Sequence, residues 1–243
     1  MYIDYYAPYT QDFFQRDFVY GKLSGKQGVS NQFTADYPTC IEILKICKQL
    51  NENVTTVIGG VHVTFLDTDC LKLPYVDIVV RGEGEWTLLD LISALESKTS
   101  DLQNIKGITF KQNGKIIRNP DRPLGNLDEI PPLNFSLLPH EFVQNIFVHG
   151  MLNRGCDFNC SFCGESAFWK KRRSFPVRRI IEEMKILDQV YQNPMHAIDD
   201  SMLFIGSKQF LDLSSEIQKQ RIKLQPDFYI HYVKGGLVQY GWS

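Results

Sequence analysis

The sequence contains no long hydrophobic run and no excess of charge of either sign. None of its apolar stretches approaches the ~18 to 20 consecutive residues that a membrane-spanning helix requires. Residues 1–10 lack the basic start and the apolar run of a secretion signal. The formal net charge of -2 gives no reason to expect nucleic acid or an anionic membrane as a partner. The sequence therefore predicts a cytoplasmic protein that acts on a small molecule.

The cysteines are too unevenly placed for a disulfide framework. Of the six, three cluster within eight positions, whereas Cys40, Cys47 and Cys70 are scattered among apolar neighbours. This distribution is typical of a reducing compartment. With 243 residues, 43% of them hydrophobic, the chain has enough apolar surface for one large domain or two small ones.

The first third of the chain alternates between strand-like and helix-like patterns. Apolar and β-branched runs predict strands at residues 28–33, 54–58 and 76–80, and helical spacing predicts helices over 40–50 and after Glu85. Strands of this kind favour a parallel sheet that is covered on both faces. Ligands of such sheets bind at the carboxyl ends of the strands, where two glycine-rich turns lie in this sequence.

A hairpin and a proline-rich segment follow. Residues 105–110 and 115–118 flank Asn113-Gly114, a pair that favours a two-residue hairpin turn. The segment 119–144 holds five prolines and little periodicity. We therefore predict a domain over residues 1–118, a linker over 119–144 and a second domain over 145–243.

The second domain again alternates between strands and helices. The pattern predicts strands at 145–152, 195–198 and 227–233, and helices at 177–191 and 208–220. The first of these helices places Ile180, Met184, Leu187 and Tyr191 on one apolar face and leaves Glu182, Glu183 and Lys185 largely outside it. Residues 234–243 have no periodic apolar face and predict no further unit.

Three thiols lie in a short loop, at Cys156, Cys160 and Cys163. Their spacers of three and two residues allow one loop to wrap three corners of an iron–sulfur cubane. A zinc site usually needs a fourth Cys or His at comparable spacing, and the next histidine, His196, is far along the chain. Three ligands would leave one iron open to another molecule. The alternatives are a zinc knuckle or three ordinary buried cysteines.

The pattern CxxxCxxC, with Phe162 directly before the last cysteine, resembles the signature of the radical S-adenosylmethionine (SAM) superfamily. The resemblance implies a [4Fe–4S] cluster on the three cysteines, SAM on the open iron and Phe162 near the adenine of SAM. Asp199-Asp200 resembles the acidic pair near the methionine end of SAM in one branch of the superfamily. A helix cap is an equally good interpretation of that pair.

The glycine-rich turns of the first domain resemble those of the branch that carries an N-terminal cobalamin-binding domain. They are Gly59-Gly60-Val61-His62 and, about twenty residues later, Arg81-Gly82-Glu83-Gly84-Glu85. Glycines there allow a large flat ligand to approach the backbone closely. Cobalamin proteins that use a histidine as cobalt ligand carry a DxHxxG pattern, which the sequence lacks, so we do not expect His62 to bind cobalt.

The resemblance implies a fold of class α/β, with a partial Rossmann-like cobalamin-binding domain followed by a partial (β/α) radical SAM barrel. Members of this branch have more strand and helix units at both ends than the patterns here predict. We therefore expect the chain to be a truncated or frame-shifted product, or a fragment of a larger protein.

The function implied by this resemblance is reductive cleavage of SAM to a 5′-deoxyadenosyl radical, coupled to cobalamin-dependent methyl transfer or to a radical rearrangement of a small molecule. An external one-electron reductant such as flavodoxin or ferredoxin would be a partner. Two alternatives remain open. One is a methylthiotransferase-like enzyme with a second cluster on Cys40, Cys47 and Cys70, and the other is a cluster-binding chain without activity.

Overall fold

A computed structural model describes residues 26–97, 101–158, 160–161, 163–199, 208–224, 229–231 and 238–239. These residues fall into two compact units that divide between Gly125 and Asn126. We call them the N-terminal unit and the C-terminal unit. The division lies inside the segment 119–144 that the sequence predicts as a linker. No helix within the described ranges is long and apolar enough to cross a membrane.

The N-terminal unit is built around a five-stranded sheet. Its strands are β1 (Lys26–Ser30), β2 (Thr55–Gly59), β3 (Ile78–Val80), β4 (Ile108–Gln112) and β5 (Lys115–Arg118). Its helices are α1 (Tyr37–Leu50), α2 (Val61–Phe65), α3 (Asp67–Cys70) and α4 (Gly84–Glu96). The strands lie in sequence order, with β1, β2 and β3 parallel and β4 and β5 antiparallel to their neighbours.

Helices cover both faces of this sheet. Ile58 and Val79 pack in one core cluster with Leu44 of α1. Their neighbour Val57 points to the opposite face and packs in a second cluster with Leu91 of α4. Successive strand residues alternate between faces, so both faces of the parallel strands are buried. This confirms the doubly covered parallel sheet that the apolar strands predict.

The hairpin predicted at Asn113-Gly114 is present. Asn113 has a φ of 51° and Gly114 a φ of 74°, the two positive values that a type I′ turn requires. The first strand of the hairpin begins at Ile108 and not at residue 105. The preceding Gly107 has a φ of 83°, a left-handed conformation that interrupts a strand.

The C-terminal unit contains short strands and longer helices. The strands are β6 (His149–Gly150), β7 (Asn153–Arg154), β8 (Arg173–Ser174), β9 (Ala197–Asp199), β10 (Tyr229–His231) and β11 (Val238–Gln239). The helices are α5 (His140–Asn145), α6 (Gly164–Trp169), α7 (Val177–Gln189) and α8 (Lys208–Gln220). The order β11-β10-β9-β6 forms one sheet, in which β6, β9 and β10 are parallel and β11 is antiparallel, and β7 pairs with β8.

The apolar face of α7 forms the centre of this unit. Ile180, Met184 and Leu187 are fully buried, and Tyr191 just beyond the helix is buried with them. The face predicted from the sequence is therefore confirmed. Leu213 of α8 packs into the same core, so α7 and α8 bury their apolar faces against each other.

The strand predicted over 145–152 is present as β6, but it is much shorter than predicted. Helix α5 ends at Asn145, and β6 contains only His149 and Gly150. The side chain of Asn193 donates hydrogen bonds to the backbone carbonyls of Val143 (2.7 Å) and Ile146 (2.9 Å). Because the Asn193 side chain supplies the hydrogen bonds of these two carbonyls, they need no partner on a neighbouring strand, and the segment before β6 does not join the sheet.

One short strand lies within residues 234–243, where the sequence predicts no further strand and helix unit. It is β11, which pairs antiparallel with β10. It extends the sheet as a hairpin partner. The pairing therefore adds a strand without adding another parallel strand and helix unit.

Part of the predicted linker belongs to the core of the C-terminal unit. Phe135 and Val143 are buried in the cluster that surrounds α7. Two 3-10 turns, Leu127–Glu129 and Phe135–Leu137, shape the segment. Proline removes periodicity from a sequence, but it does not stop the residues around it from packing.

Glu183 is buried, contrary to its predicted place outside the apolar face of α7. It is 1% exposed, and its Oε1 accepts hydrogen bonds from the backbone amide of Leu133 (3.0 Å) and pairs with Arg179 Nη2 at 3.1 Å. Arg179 also donates from Nε to the carbonyl of Pro131 and stacks 4.0 Å from the Phe175 ring. Burial raises the pKa of Glu183, and the charge of Arg179 opposes that shift.

We predict that Glu183→Ala lowers the free energy of unfolding by about 3 to 5 kcal/mol, because it removes the carboxylate that pairs with the buried Arg179 guanidinium. Urea unfolding followed by circular dichroism measures the change. Glu182→Ala, at an exposed position of the same helix, is the control and should stay within about 0.5 kcal/mol of the parent. Equal effects of the two variants would contradict the role of the buried pair.

Candidate functional site

The carboxyl ends of β1, β2 and β3 meet at one edge of the N-terminal sheet, which we call the glycine edge. Because the three strands are parallel, the residues that follow them, Asn31, Gly60 and Arg81-Gly82, leave the sheet side by side. The backbone amide of Asn31 donates to the carbonyl of Gly59 at 2.7 Å. The glycine edge thus brings together the two turns that the sequence predicts as a cobalamin region.

Two glycines of this edge have left-handed backbone conformations with different surroundings. Gly60 has a φ of 115°, and a Cβ there would lie 2.2 Å from the carbonyl oxygen of Asn31. Gly82 has a φ of 67°, and no described atom lies within 4 Å of the place of its Cβ. Gly60 therefore allows a close backbone contact, whereas Gly82 leaves open space. Open space beside bare backbone suits a large flat ligand such as cobalamin.

His62 lies at the start of α2, directly behind the Gly60 turn. Its Nδ1 is 3.0 Å from the hydroxyl of Thr34, and its ring centroid is 4.8 Å from that of Tyr37. The ring is partly exposed. Thr34 and Tyr37 thus orient the imidazole at the glycine edge.

Arg81 points into the protein. The residue is 3% exposed, and its guanidinium donates to the carbonyl of Asn119 at 2.6 Å and lies 3.4 Å from Asp67 Oδ2. The same carboxylate oxygen accepts from Thr109 at 2.6 Å and from Arg118 at 2.9 Å. Burial alone would raise the pKa of Asp67, but the Thr109 hydroxyl and the Arg118 charge lower it below its usual value. Only the backbone of Arg81 is left to face a ligand.

Glu83 and Gly84 complete the second turn. The carboxylate of Glu83 accepts a hydrogen bond from the backbone amide of Gly125 at 3.2 Å. Gly84 begins α4, and a Cβ there would lie in ordinary contact with Val80, at 3.8 Å. The side chains of this turn brace the unit, and their predicted contacts with cobalamin stay predictions.

We expect Gly60→Ala to destabilise the protein by about 2 to 4 kcal/mol, because it adds a Cβ against a backbone carbonyl at a conformation that alanine disfavours. Chemical denaturation measures the loss. Gly28→Ala is the matched control, since no described atom lies within 4 Å of its Cβ position in β1. A Gly60→Ala protein as stable as Gly28→Ala would show that the close approach to Asn31 is not required.

The three clustered cysteines lie in one loop between β7 and α6, which we call the cysteine loop. Cys160 is exposed, and Cys156 and Cys163 are partly exposed. The amide of Cys163 donates to the carbonyl of Cys160 at 3.1 Å, and the amide of Phe158 contacts the Cys156 sulfur at 3.4 Å. Within the described ranges no three His, Cys, Asp or Glu side chains converge as a formed metal site. As a donor set, three accessible thiols on one short loop fit an iron–sulfur cluster.

The base of the cysteine loop is packed tightly. Gly155 has a φ of 80°, and a Cβ there would lie 2.5 Å from the carbonyl oxygen of Lys171 and 3.0 Å from Trp169 Cβ. The guanidinium of Arg154 lies 4.9 Å from the Trp169 ring and 5.1 Å from the Phe175 ring. These contacts fix the start of the loop against the end of α6.

The remaining predicted SAM residues fall largely outside the described part of the chain. Phe162 and Asp200 lie outside the described residues. Asp199 ends β9, where its backbone pairs with His231 of β10. Its position at the carboxyl end of a parallel strand is the place where ligands of such sheets bind.

The other three cysteines are buried in the N-terminal unit. Cys40 and Cys70 belong to the cluster beneath α1, and Cys70 accepts a hydrogen bond from the Tyr37 hydroxyl at 3.4 Å. Burial raises the pKa of Cys40 to about 11 and raises those of Cys47 and Cys70 as well. Thiols that are buried and protonated are poor iron ligands, so their environment does not favour a second cluster.

We predict that N-ethylmaleimide at neutral pH labels Cys156, Cys160 and Cys163 at least ~10-fold faster than the buried three, since the reaction requires an accessible thiolate. Mass spectrometry of the labelled peptides measures the rates. The denatured chain is the control, in which all six cysteines should react at similar rates. Equally fast labelling of the folded chain at Cys40 would contradict the burial described above.

Sequence reasoning missed the residues that brace the glycine edge. Thr64 and Asp67 make their contacts across 18 and 14 residues of sequence, respectively. The available signal was the presence of polar residues directly after the turn, between apolar positions. That signal does not identify a partner.

Taken together, a doubly covered parallel sheet with a glycine edge and a separate unit with a cysteine loop define a cofactor-binding α/β protein. Residues 27–92 match the family model for the B12 binding domain. An uncharacterized methyltransferase of Pyrococcus horikoshii is 40% identical over 188 residues, which cover 75% of this chain and 41% of that protein. The anaerobic magnesium-protoporphyrin IX monomethyl ester cyclase of Rubrivivax gelatinosus is 30% identical, over 73% of this chain and 34% of the cyclase.

The fold is similar to that of the radical SAM methyltransferase TsrM from Kitasatospora setae, solved with cobalamin and a [4Fe–4S] cluster. The TM-score is 0.65 at 17% identity, over 86% of this chain and 45% of TsrM. These matches confirm the resemblance to the cobalamin-binding branch of the radical SAM superfamily, and the chain is a homologue of the methyltransferase and the cyclase described above. It spans less than half the length of the relatives it matches.

Proposed function

We propose that the chain provides the cobalamin-binding domain and the cluster loop of a radical SAM enzyme that acts on a small molecule. The observation that carries the proposal is the presence of both parts in one chain. Residues 27–92 match the B12 binding domain, and the accessible cysteine loop lies in the other unit. Of the two sequence relatives described above, one is a methyltransferase and the other a cyclase by name, which supports cobalamin-dependent methyl transfer or another radical reaction.

The residues of the chain divide the work between binding and orientation. Cys156, Cys160 and Cys163 would hold the cluster, while Phe162, Asp199 and Asp200 would contact SAM. The Gly59-Gly60 and Gly82 turns would receive cobalamin, with His62 beside them. When bound, these cofactors supply one electron for cleavage of SAM to a 5′-deoxyadenosyl radical and a methyl group for transfer. A cytoplasmic location and a one-electron reductant such as flavodoxin or ferredoxin belong to the same proposal.

The test is anaerobic reconstitution of the full chain with iron and sulfide. We expect about four irons per chain, and we expect Cys156→Ala, Cys160→Ala and Cys163→Ala each to lose most of the iron–sulfur absorbance. Cys47→Ala is the matched control and should keep it. About eight irons per chain, lost in part from Cys47→Ala, would favour the second-cluster alternative.

The same preparation tests the chemistry. Dithionite and SAM should yield 5′-deoxyadenosine from the reconstituted parent chain and none from the Cys160→Ala chain, as measured by liquid chromatography. A chain that forms the cluster but yields no 5′-deoxyadenosine would be a cluster-binding chain without this activity. That outcome would reject the catalytic part of the proposal and leave the metal site standing.

A further inference from the structure

One side chain joins the two turns of the glycine edge. The hydroxyl of Thr64, in α2, donates a hydrogen bond to the carbonyl of Gly60 at 2.7 Å. The same oxygen accepts a hydrogen bond from the backbone amide of Gly82 at 3.0 Å. A threonine hydroxyl in a helix commonly donates a hydrogen bond to the carbonyl four residues earlier. The lone pairs of its oxygen can then accept a hydrogen bond from a second partner.

The position of this bridge matters because the strand ladder ends just before it. The last paired residues of β2 and β3 are Gly59 and Val80. Beyond them the chain enters α2 on one side and the turn before α4 on the other. Thr64 therefore continues the connection between the two strands by one side-chain link, beyond the end of the regular pairing.

The bridge also restrains the open turn. Gly82 has a left-handed backbone, and no described atom lies within 4 Å of its Cβ position, so packing against described side chains does not restrain it there. Its amide is restrained by the hydrogen bond to Thr64. Together with the bond from Thr64 to the carbonyl of Gly60, it links the Gly60 and Gly82 turns directly.

We propose that Thr64 is a positioning residue for cobalamin, whose hydroxyl holds the Gly60 and Gly82 turns at the separation that admits the ligand. This inference rests on the proposed function, since it assumes cobalamin at the glycine edge. Thr64 acts through the two turns and is not assigned a contact with the ligand. Its effect should therefore appear in binding and in the local opening of the turns.

The test compares Thr64→Val, which keeps the shape and removes both hydrogen bonds, with Thr64→Ser, which keeps the hydroxyl. Hydroxocobalamin is titrated into each full chain and followed by its absorbance. Loss of two ordinary hydrogen bonds predicts a Kd about 10-fold higher for Thr64→Val. Thr64→Ser should stay within about 2-fold of the parent, because it can form both bonds.

Thr56→Val is the matched control. The Thr56 hydroxyl lies 2.9 Å from both the carbonyl of Tyr75 and Asp77 Oδ2, and it donates its one proton to either of them. Its oxygen accepts from the backbone amide of Asp77 at 3.2 Å, so Thr56, like Thr64, donates one hydrogen bond and accepts one. It lies near the beginning of β2, at the opposite edge of the sheet. Thr56→Val should lower the melting temperature and leave the Kd for hydroxocobalamin unchanged, so it separates a general loss of stability from a loss of positioning.

Hydrogen exchange gives a readout that does not need the ligand. In the free protein, the peptide that contains Gly82 should exchange faster in Thr64→Val than in the parent and in Thr64→Ser. An unchanged Kd for Thr64→Val, with a parent chain that binds, would overturn the role of Thr64 alone. A parent chain that does not bind hydroxocobalamin would overturn both this inference and the cobalamin part of the proposed function.

Discussion

Parallel pairing of β1, β2 and β3 is the constraint on which the candidate cobalamin site depends. Parallel strands end at the same edge, so the chain must turn sharply and repeatedly within a small area. Gly60 meets the Asn31 backbone more closely than any side chain would permit, and Gly82 takes a left-handed conformation beside it. The edge is therefore made of bare backbone, which leaves room for a large ligand.

Periodic elements could be predicted from the sequence because their signal is local. Helix α8 has the predicted bounds of 208–220, and the apolar face of α7 is buried as its spacing predicts. The Asn113-Gly114 turn was equally clear, because few residue pairs accept two positive φ values. The parallel strands of the N-terminal unit were also predicted, but their ends differ: β1 covers 26–30 where 28–33 is predicted, and β3 begins at 78 where 76 is predicted.

The buried polar contacts that stabilise the two units could not be predicted, because each depends on a partner that is distant in the sequence. Glu183 looked like a solvent-facing helix residue, but it is buried by contacts with Arg179 and with Leu133, fifty residues earlier. Thr64 joins turns that are twenty-two positions apart. Asp67 accepts hydrogen bonds from Arg81, Thr109 and Arg118, which lie 14 to 51 positions away. The spacing of apolar residues contains no information on such pairs.

The glycines of the two candidate loops were predictable for a reason that connects them. In the N-terminal unit the missing side chain of Gly60 admits the carbonyl of Asn31, and in the C-terminal unit that of Gly155 admits the carbonyl of Lys171. In both units a glycine with positive φ fixes the base of a turn against distant backbone. Any other residue would force the backbone apart, so this requirement is visible in the sequence as a glycine. The surrounding hydrogen bonds and stacked rings then hold the turn in place. Several residue types can make such contacts, so the sequence does not reveal them as it reveals the glycines.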